Sequence, residues 1–304
     1  MTKQGPEQVS EPVSEPVGSG QPVLDQLVRL LDLEPIEVDI FRGTSPKVSL
    51  QRVFGGQVAG QALVAAGRTV PVERRVHSLH AYFLRPGDPS VPLVYSVDRI
   101  RDGRSFTSRR VVAIQHGLAI FSLSASFHRA EDGIDHQSPM PSVPDPEGLA
   151  TLPQRYAPYA DTLGPFARLP RPIDLRYVDA PPWEQRADGP REPLSRMWLR
   201  ADGRLPDDPL LHVCALTYAS DMSLLDSVMV GHGMAWGQDI VGASLDHAMW
   251  FHRPFRADEW LLYESRSPSA SGGRGLAEGR FWTRDGRHVA TVVQEGLLRM
   301  VNRP

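Results

Sequence analysis

The strongest constraint on this chain is that it repeats itself. The run SLDHAMWFHRPF at residues 244–255 has a degraded copy, SLHAYFLRPG, at residues 78–87. Each copy reads as a strand dense in aromatic and apolar residues that ends in Arg-Pro, at Arg85-Pro86 and Arg253-Pro254. The flanks repeat as well. RVFGGQVAGQALVAAG precedes the first copy and LTYASDMSLLDSVMVG the second, and both read as a strand end breaking into an apolar helix. After each copy comes a strand-turn-strand run with an Asp-Gly turn, at Asp102-Gly103 and Asp285-Gly286. A unit used twice predicts two similar modules packed together, with a polar site needed in only one of them.

The pattern along the chain places these modules. Residues 1–21 are rich in Pro, Glu, Gly and Ser, nearly free of large hydrophobes, and are expected to form a disordered tail. A first module spans 22–130. It opens on a helical stripe of Val23, Leu24, Leu27, Val28, Leu30 and Leu31, stopped by Pro35, and IEVDIFRG follows as its first strand. The helix after Gly56 is built of Val58, Ala59, Ala62, Leu63, Ala65 and Ala66; side chains that small predict close approach to other backbone, such as a wrapped sheet. Strands near 76–84, 93–101, 106–115 and 118–127 follow, and their short connections make them antiparallel neighbours. One helix on an antiparallel meander is an α+β module.

Residues 131–171 form a Pro-rich crossover or linker with a short helix near 152–160. The second module spans 172–304. PIDLRYVDAP at 172–181 is similar to PIEVDIFRG and is placed as its first strand. A strand at 195–200, a central helix after Asp221, and strands at 244–252, 260–266, 275–283 and 288–300 complete it.

Composition excludes several function classes. A formal charge of −3 over 304 residues argues against a nucleic-acid-binding surface, which needs a basic excess, and leaves room for a local Arg patch against a phosphorylated ligand. The single Cys214 excludes an internal disulfide and a multi-Cys zinc site. Within LLHVCALTY it reads as a buried small hydrophobe, not a catalytic thiol. No leader pattern and no apolar run approaching the ~20 residues of a membrane helix is present. A soluble, cytoplasmic protein without membrane insertion is expected. GASLD at 242–246 lacks the second Gly of a nucleophile elbow, and GHGMAW at 231–236 fails the dinucleotide fingerprint at its last Gly. The His residues lack metal spacing, and His80 and His247 read as packing or interface residues; no metal is expected.

Three polar residues of the second module stand out. Asp221 is placed at a strand-to-helix junction, where a carboxylate caps a helix whose N-terminus holds it ionised; its counterpart in the first module falls near Gly56-Gln57. Ser244 opens a strand. Gln294 interrupts the apolar row Ala290, Val292, Gly296, Leu298 in the last strand, so a buried amide there needs a specific partner. Each residue alone also fits a purely structural role.

The runs FGGQVAGQAL, HSLHAYFLRPGDPSVPLVYSVDRIRDGRSFTSRRV, YASD, LDHAMWFHRPFRADEWLLY, SASGGRG and VVQEGLLR resemble the acyl-CoA thioesterase II family, from about residue 24 to 301. The resemblance implies a double hot-dog fold: two helices, each wrapped by a curled antiparallel sheet, with the sheets joined edge to edge. It implies a catalytic trio of Asp221, Ser244 (where many bacterial relatives carry Thr) and Gln294. It further implies hydrolysis of medium- to long-chain fatty acyl-CoA by an Asp-activated water, without a covalent intermediate. Backbone N–H groups near a helix start would polarise the thioester carbonyl, and an apolar tunnel, for which Leu224, Met229 and Trp250 are candidates, would take the acyl chain. No cofactor is implied, since CoA belongs to the substrate, and a homodimer or larger homo-oligomer is expected. Two other readings stay open: a hot-dog enoyl-CoA hydratase, which needs an Asp/His pair, and a non-catalytic acyl-CoA-binding protein.

Overall fold

The computed structural model describes residues 19–46, 52–164, 167 and 169–301. Most of the expected tail lies outside the described residues, but its last positions do not behave as a tail. Gln21 already opens helix α1 (Gln21–Leu31), and the Gly20 amide donates to Asp202 Oδ2 at 2.6 Å. The helix buries Val23, Leu24, Leu27 and Leu31 of the expected stripe.

IEVDIFRG is a hairpin and not one strand. Strands β1 (Glu34–Glu37) and β2 (Ile40–Gly43) reverse through Val38 and Asp39, with Asp39 at φ 60°. Asp is among the few side chains that visit this left-handed region, and its carboxylate is held there by Arg99 Nε and Nη2, both at 2.9 Å. The first half continues through α2 (Gly55–Gly67), β3 (Arg74–Phe83), β4 (Leu93–Asp102), β5 (Phe106–Gln115) and β6 (Leu118–Arg129). The crossover carries two short helices, α3 (Leu152–Tyr156) and α4 (Ala160–Leu163). The second half consists of β7 (Ile173–Tyr177), α5 (Pro182–Gln185), β8 (Leu194–Ala201), α6 (Pro209–Ser220), α7 (Asp226–His232), β9 (Ile240–Ser244), β10 (Asp246–Phe251), β11 (Leu261–Ser271), β12 (Arg274–Thr283) and β13 (His288–Met300).

Among the described residues these strands make one antiparallel sheet, ordered β1-β2-β4-β5-β6-β3-β10-β13-β12-β11-β8-β7, with β9 also pairing β13. The order is a mirror about its centre. The strands at that centre are the two copies of the repeated motif: β3 pairs β10 with Leu79 opposite Met249 and Ala81 opposite His247. The duplicated segment is therefore the seam that joins the halves.

The helix expected after Asp221 lies before it. The run PLLHVCALTYAS is α6, which Pro209 opens and Asp208 caps by accepting from the Leu210 amide at 2.9 Å. Its residues are apolar nearly all round, so periodicity could not separate a buried helix from a buried strand. Only a second, shorter helix, α7, follows Asp221, and Gly233 in the left-handed region (φ 62°) ends it. The small residues of α2 face other backbone as expected, and that backbone is α6. A Cβ on Gly56 would stand 2.4 Å from the Tyr218 carbonyl oxygen, and one on Gly60 would stand 3.3 Å from that of Cys214.

The crossover is strapped to the second half by indoles. Trp198 Nε1 donates to the Pro144 carbonyl at 2.9 Å and Trp282 Nε1 to that of Ser138 at 3.3 Å. Trp198, Trp260, Leu262 and Trp282 form a separate apolar cluster beneath Met140, Val143 and Leu149. No helix among the described residues is long and apolar enough to cross a membrane.

Candidate active site

Asp221 is the C-cap of α6, not an N-cap of its own helix. A helix N-terminus does face it, supplied by the other half: a Cβ on Gly55 would lie 2.7 Å from Asp221 Oδ2. Burial raises the carboxyl pKa, and His247, the Gln294 and Ser244 side chains and the Gly56 backbone N–H at the start of α2 act against that rise. The repeat places the counterpart of Asp221 near Gly56-Gln57, so the two equivalent segments meet in space.

Ser244 closes β9; it does not open the next strand. Leu245 breaks the run, its amide bonding to the Glu295 carbonyl at 2.9 Å and its carbonyl accepting from Phe83 at 2.9 Å. The Glu295 amide bonds instead to Asp246 Oδ1 at 2.7 Å. The strand thus kinks between β9 and β10, and the kink aims Ser244 Oγ at Asp221 Oδ1, to which it donates at 3.0 Å. On β13 the inward row is the one the alternation predicts: Ala290, Val292, Gln294 and Gly296 are buried. The partner that a buried amide requires is present, since Gln294 Nε2 donates to Ser244 Oγ at 2.8 Å. Asp221, Ser244 and Gln294 are thus brought together from three elements.

Two further members of the cluster were not singled out as site residues. His247, read above as a packing residue, is 1% exposed. Its Nδ1 lies 2.5 Å from Gln294 Oε1 and its Nε2 lies 2.9 Å from Ser220 Oγ. Burial pushes its pKa down, against Asp221, Gln294 and Asp246. The only sequence signal was its place on the inward face of the repeated strand, which an ordinary core histidine shares.

The trio sits on the wall of a cavity of about 560 Å³. The other lining residues are largely apolar and aromatic, with Leu175, Leu224, Leu225 and Trp236 from the second half and Tyr156 and Leu163 from the crossover helices. Of the three tunnel candidates, only Leu224 lines it. Met229 is core, and Trp250 projects from the opposite face of β10, edge-on to His80 with ring centroids 5.2 Å apart. A second carboxyl, Asp226, also lines the cavity; Tyr177 Oη and Trp236 Nε1 donate to it at 2.8 and 3.0 Å. Cys214 is buried, as expected, and burial raises its thiol pKa.

Two family models match the chain: "Acyl-CoA thioesterase N-terminal domain" over residues 44–128 and "Acyl-CoA thioesterase" over residues 171–297. The chain is 44% identical over 284 residues to acyl-coenzyme A thioesterase 8 of Mus musculus, covering 89% of this chain and 88% of that one. It is 38% identical over 286 residues to acyl-CoA thioesterase 2 of Haemophilus influenzae, covering 91% and 98%. A crystal structure of an acyl-CoA thioesterase II, TesB2, from Mycobacterium marinum is 48% identical, with TM-score 0.75 and coverage of 91% and 99%. A hot-dog protein of unknown function from Alicyclobacillus acidocaldarius, 20% identical over 91% and 99% of the two chains, has the same TM-score of 0.75, so the expected hot-dog architecture is the one present. With relatives matched across almost the whole of both chains, this chain belongs to the acyl-CoA thioesterase family.

Proposed function

We propose that this chain hydrolyses medium- to long-chain fatty acyl-CoA to free fatty acid and CoA, with Asp221 as general base on a water also held by Ser244 and Gln294. One observation carries the reading: three side chains distant in sequence form a continuous hydrogen-bonded chain on the wall of a largely apolar cavity. The relatives named acyl-coenzyme A thioesterase support the substrate class. A thioester needs a water made nucleophilic and a place for the developing oxyanion. Burial raises the proton affinity of Asp221, the direction that brings a carboxylate toward the operating pH of a general base. The first turn of α2 presents its Gly56 N–H to Asp221; the thioester carbonyl would be polarised by other backbone N–H groups near a helix start, as the family resemblance implies. Water, not Ser244 or the buried Cys214, is the nucleophile, so no acyl-enzyme forms and no cofactor takes part.

A hydratase on the same fold would need a His that reaches the substrate. His247 is close to the trio but 1% exposed and absent from the cavity wall, which favours hydrolysis. Free-thiol release measured across a panel of acyl lengths tests the reading, with loss of the enoyl absorbance of crotonyl-CoA as the competing signal. Asp221→Ala should lower turnover by ~10²–10⁴, about 3–5 kcal/mol of barrier, with its melting transition retained. Turnover near wild type in that variant would defeat the assignment. The base must be ionised and its pKa is raised. On the acid side, kcat/KM should therefore fall at a higher pH than the ~3.9 of an exposed Asp. A homodimer or larger homo-oligomer is expected from the family resemblance; a monomer mass by light scattering would remove that expectation.

A further inference from the structure

We propose that His247 is a positioning residue for this reaction: with Ser220 behind it, it fixes which end of the Gln294 amide faces Ser244 and Asp221. The proposal rests on the reading of Asp221, Ser244 and Gln294 as the water-activating group.

An ionised carboxylate only accepts hydrogen bonds, and that fact sets the direction of every bond behind it. Asp221 Oδ1 takes the Ser244 proton at 3.0 Å. With its proton committed, Ser244 Oγ must accept from Gln294 at 2.8 Å, so the amide presents Nε2 to Ser244 and Oε1 to the other side. His247 Nδ1 stands there, 2.5 Å away, and opposite an amide oxygen it must be a donor. In a neutral ring Nε2 is then an acceptor. The Ser220 hydroxyl lies 2.9 Å from it and 3.0 Å from the Thr217 carbonyl. Its one proton can serve one of these, and the neutral ring requires it at Nε2. The alternative, an imidazolium donating from both nitrogens, would place a cation at a site 1% exposed, which burial opposes. The bonds then run one way, Ser220 to His247 to Gln294 to Ser244 to Asp221, each donor pointing toward the carboxylate.

The ring holds the amide from its far end, its Nδ1 donor securing Oε1 in the orientation that Asp221 and Ser244 require. Without a donor at Nδ1, Gln294 can flip and turn Oε1 on the Ser244 oxygen and the carboxylate. The water would then lose a donor and meet a third acceptor. His247 touches neither the cavity nor the reacting atoms, so its effect passes through Gln294.

Three substitutions separate this role from mere packing. His247→Asn carries an amide nitrogen one bond from Cγ, where Nδ1 sits, and can still donate to Gln294 Oε1. His247→Gln carries it one bond farther out, near the place of Nε2, and His247→Leu carries none. Turnover of a fatty acyl-CoA should fall about 10–100-fold in the Leu and Gln variants with KM within about threefold, and the Asn variant should recover most of the loss. Melting curves establish that each variant is folded, and Asp221→Ala runs alongside. A folded Leu variant within twofold of wild type, beside an inactive Asp221→Ala, overturns the proposal alone. So does an Asn variant no better than Gln, and that comparison decides the matter if the Leu variant does not fold. Wild-type turnover in Asp221→Ala would remove the parent reading and this proposal with it.

Discussion

At the scale of single residues, Asp226 shows what it costs to keep a charge in an apolar cavity. It has two good donors, Tyr177 and Trp236, yet burial outweighs them and raises its pKa from 3.8 to about 6. The linkage follows from that direction. The folded state holds the proton more tightly than the unfolded chain, so this group's stabilising contribution is complete below pH 3.8 and is lost as pH rises to about 6. The loss is on the order of 3 kcal/mol. Asp226→Asn keeps the shape and never ionises. It should melt at a higher temperature than wild type at pH 7.5, with the gap closing at pH 4. Thermal melts at the two values check this, and a gap independent of pH would show that ionisation is not what Asp226 contributes.

The close approach of α2 to α6 is made where side chains are absent. The start of α2 touches α6 at Gly56, where the nearest atom to an added Cβ is the backbone oxygen of Tyr218 at 2.4 Å. Backbone cannot swing aside as a flexible side chain can. Gly56→Ala should therefore push α2 from α6 and cost about 1–3 kcal/mol, the usual range for overpacking. Gly60→Ala meets its nearest atom, a Leu31 methyl, at 3.1 Å and the Cys214 carbonyl only at 3.3 Å, so it should cost less. Urea midpoints order the two. The same displacement carries the Gly56 N–H away from Asp221, so turnover in Gly56→Ala should fall more than turnover in Gly60→Ala.

For the molecule as a whole, the seam makes the halves interdependent. All three proposed catalytic side chains lie in the second half, but the N–H that faces Asp221 comes from α2, and β10 relies on β3 for its other edge. A fragment of residues 172–301 would expose the unpaired edge of β10, a template for association, and would leave Asp221 without Gly56. It should be inactive and aggregate on size-exclusion chromatography; a monomeric, active fragment would contradict the shared site. The cavity also belongs to the whole molecule. The crossover supplies Tyr156 and Leu163 to its wall, beside Trp183. Trp183→Ala removes a large ring from that wall and should move the acyl-length optimum toward longer chains in the thiol-release panel. An unchanged optimum would separate this wall from chain-length selection.

The chain's own pattern was enough for the duplication, the α+β modules and the inward row of β13, because a two-residue alternation and a repeated motif are written locally. The family resemblance picked out Asp221, Ser244 and Gln294, though residue chemistry alone left each of them open to a structural reading. Local pattern misplaced the second central helix, because α6 is apolar nearly all round and has no polar face to reveal its period. It also read the β1–β2 hairpin as one strand, since nothing in IEVDIFRG but a bare Val-Asp marks the turn. Only the tertiary structure decided that the repeated strands pair with each other, that the helix start facing Asp221 comes from the opposite half, and that a core histidine stands behind Gln294. Those are contacts between residues 47 to 172 positions apart. A one-dimensional pattern states which side of an element is buried; which atom it is buried against is settled by the packing of the halves.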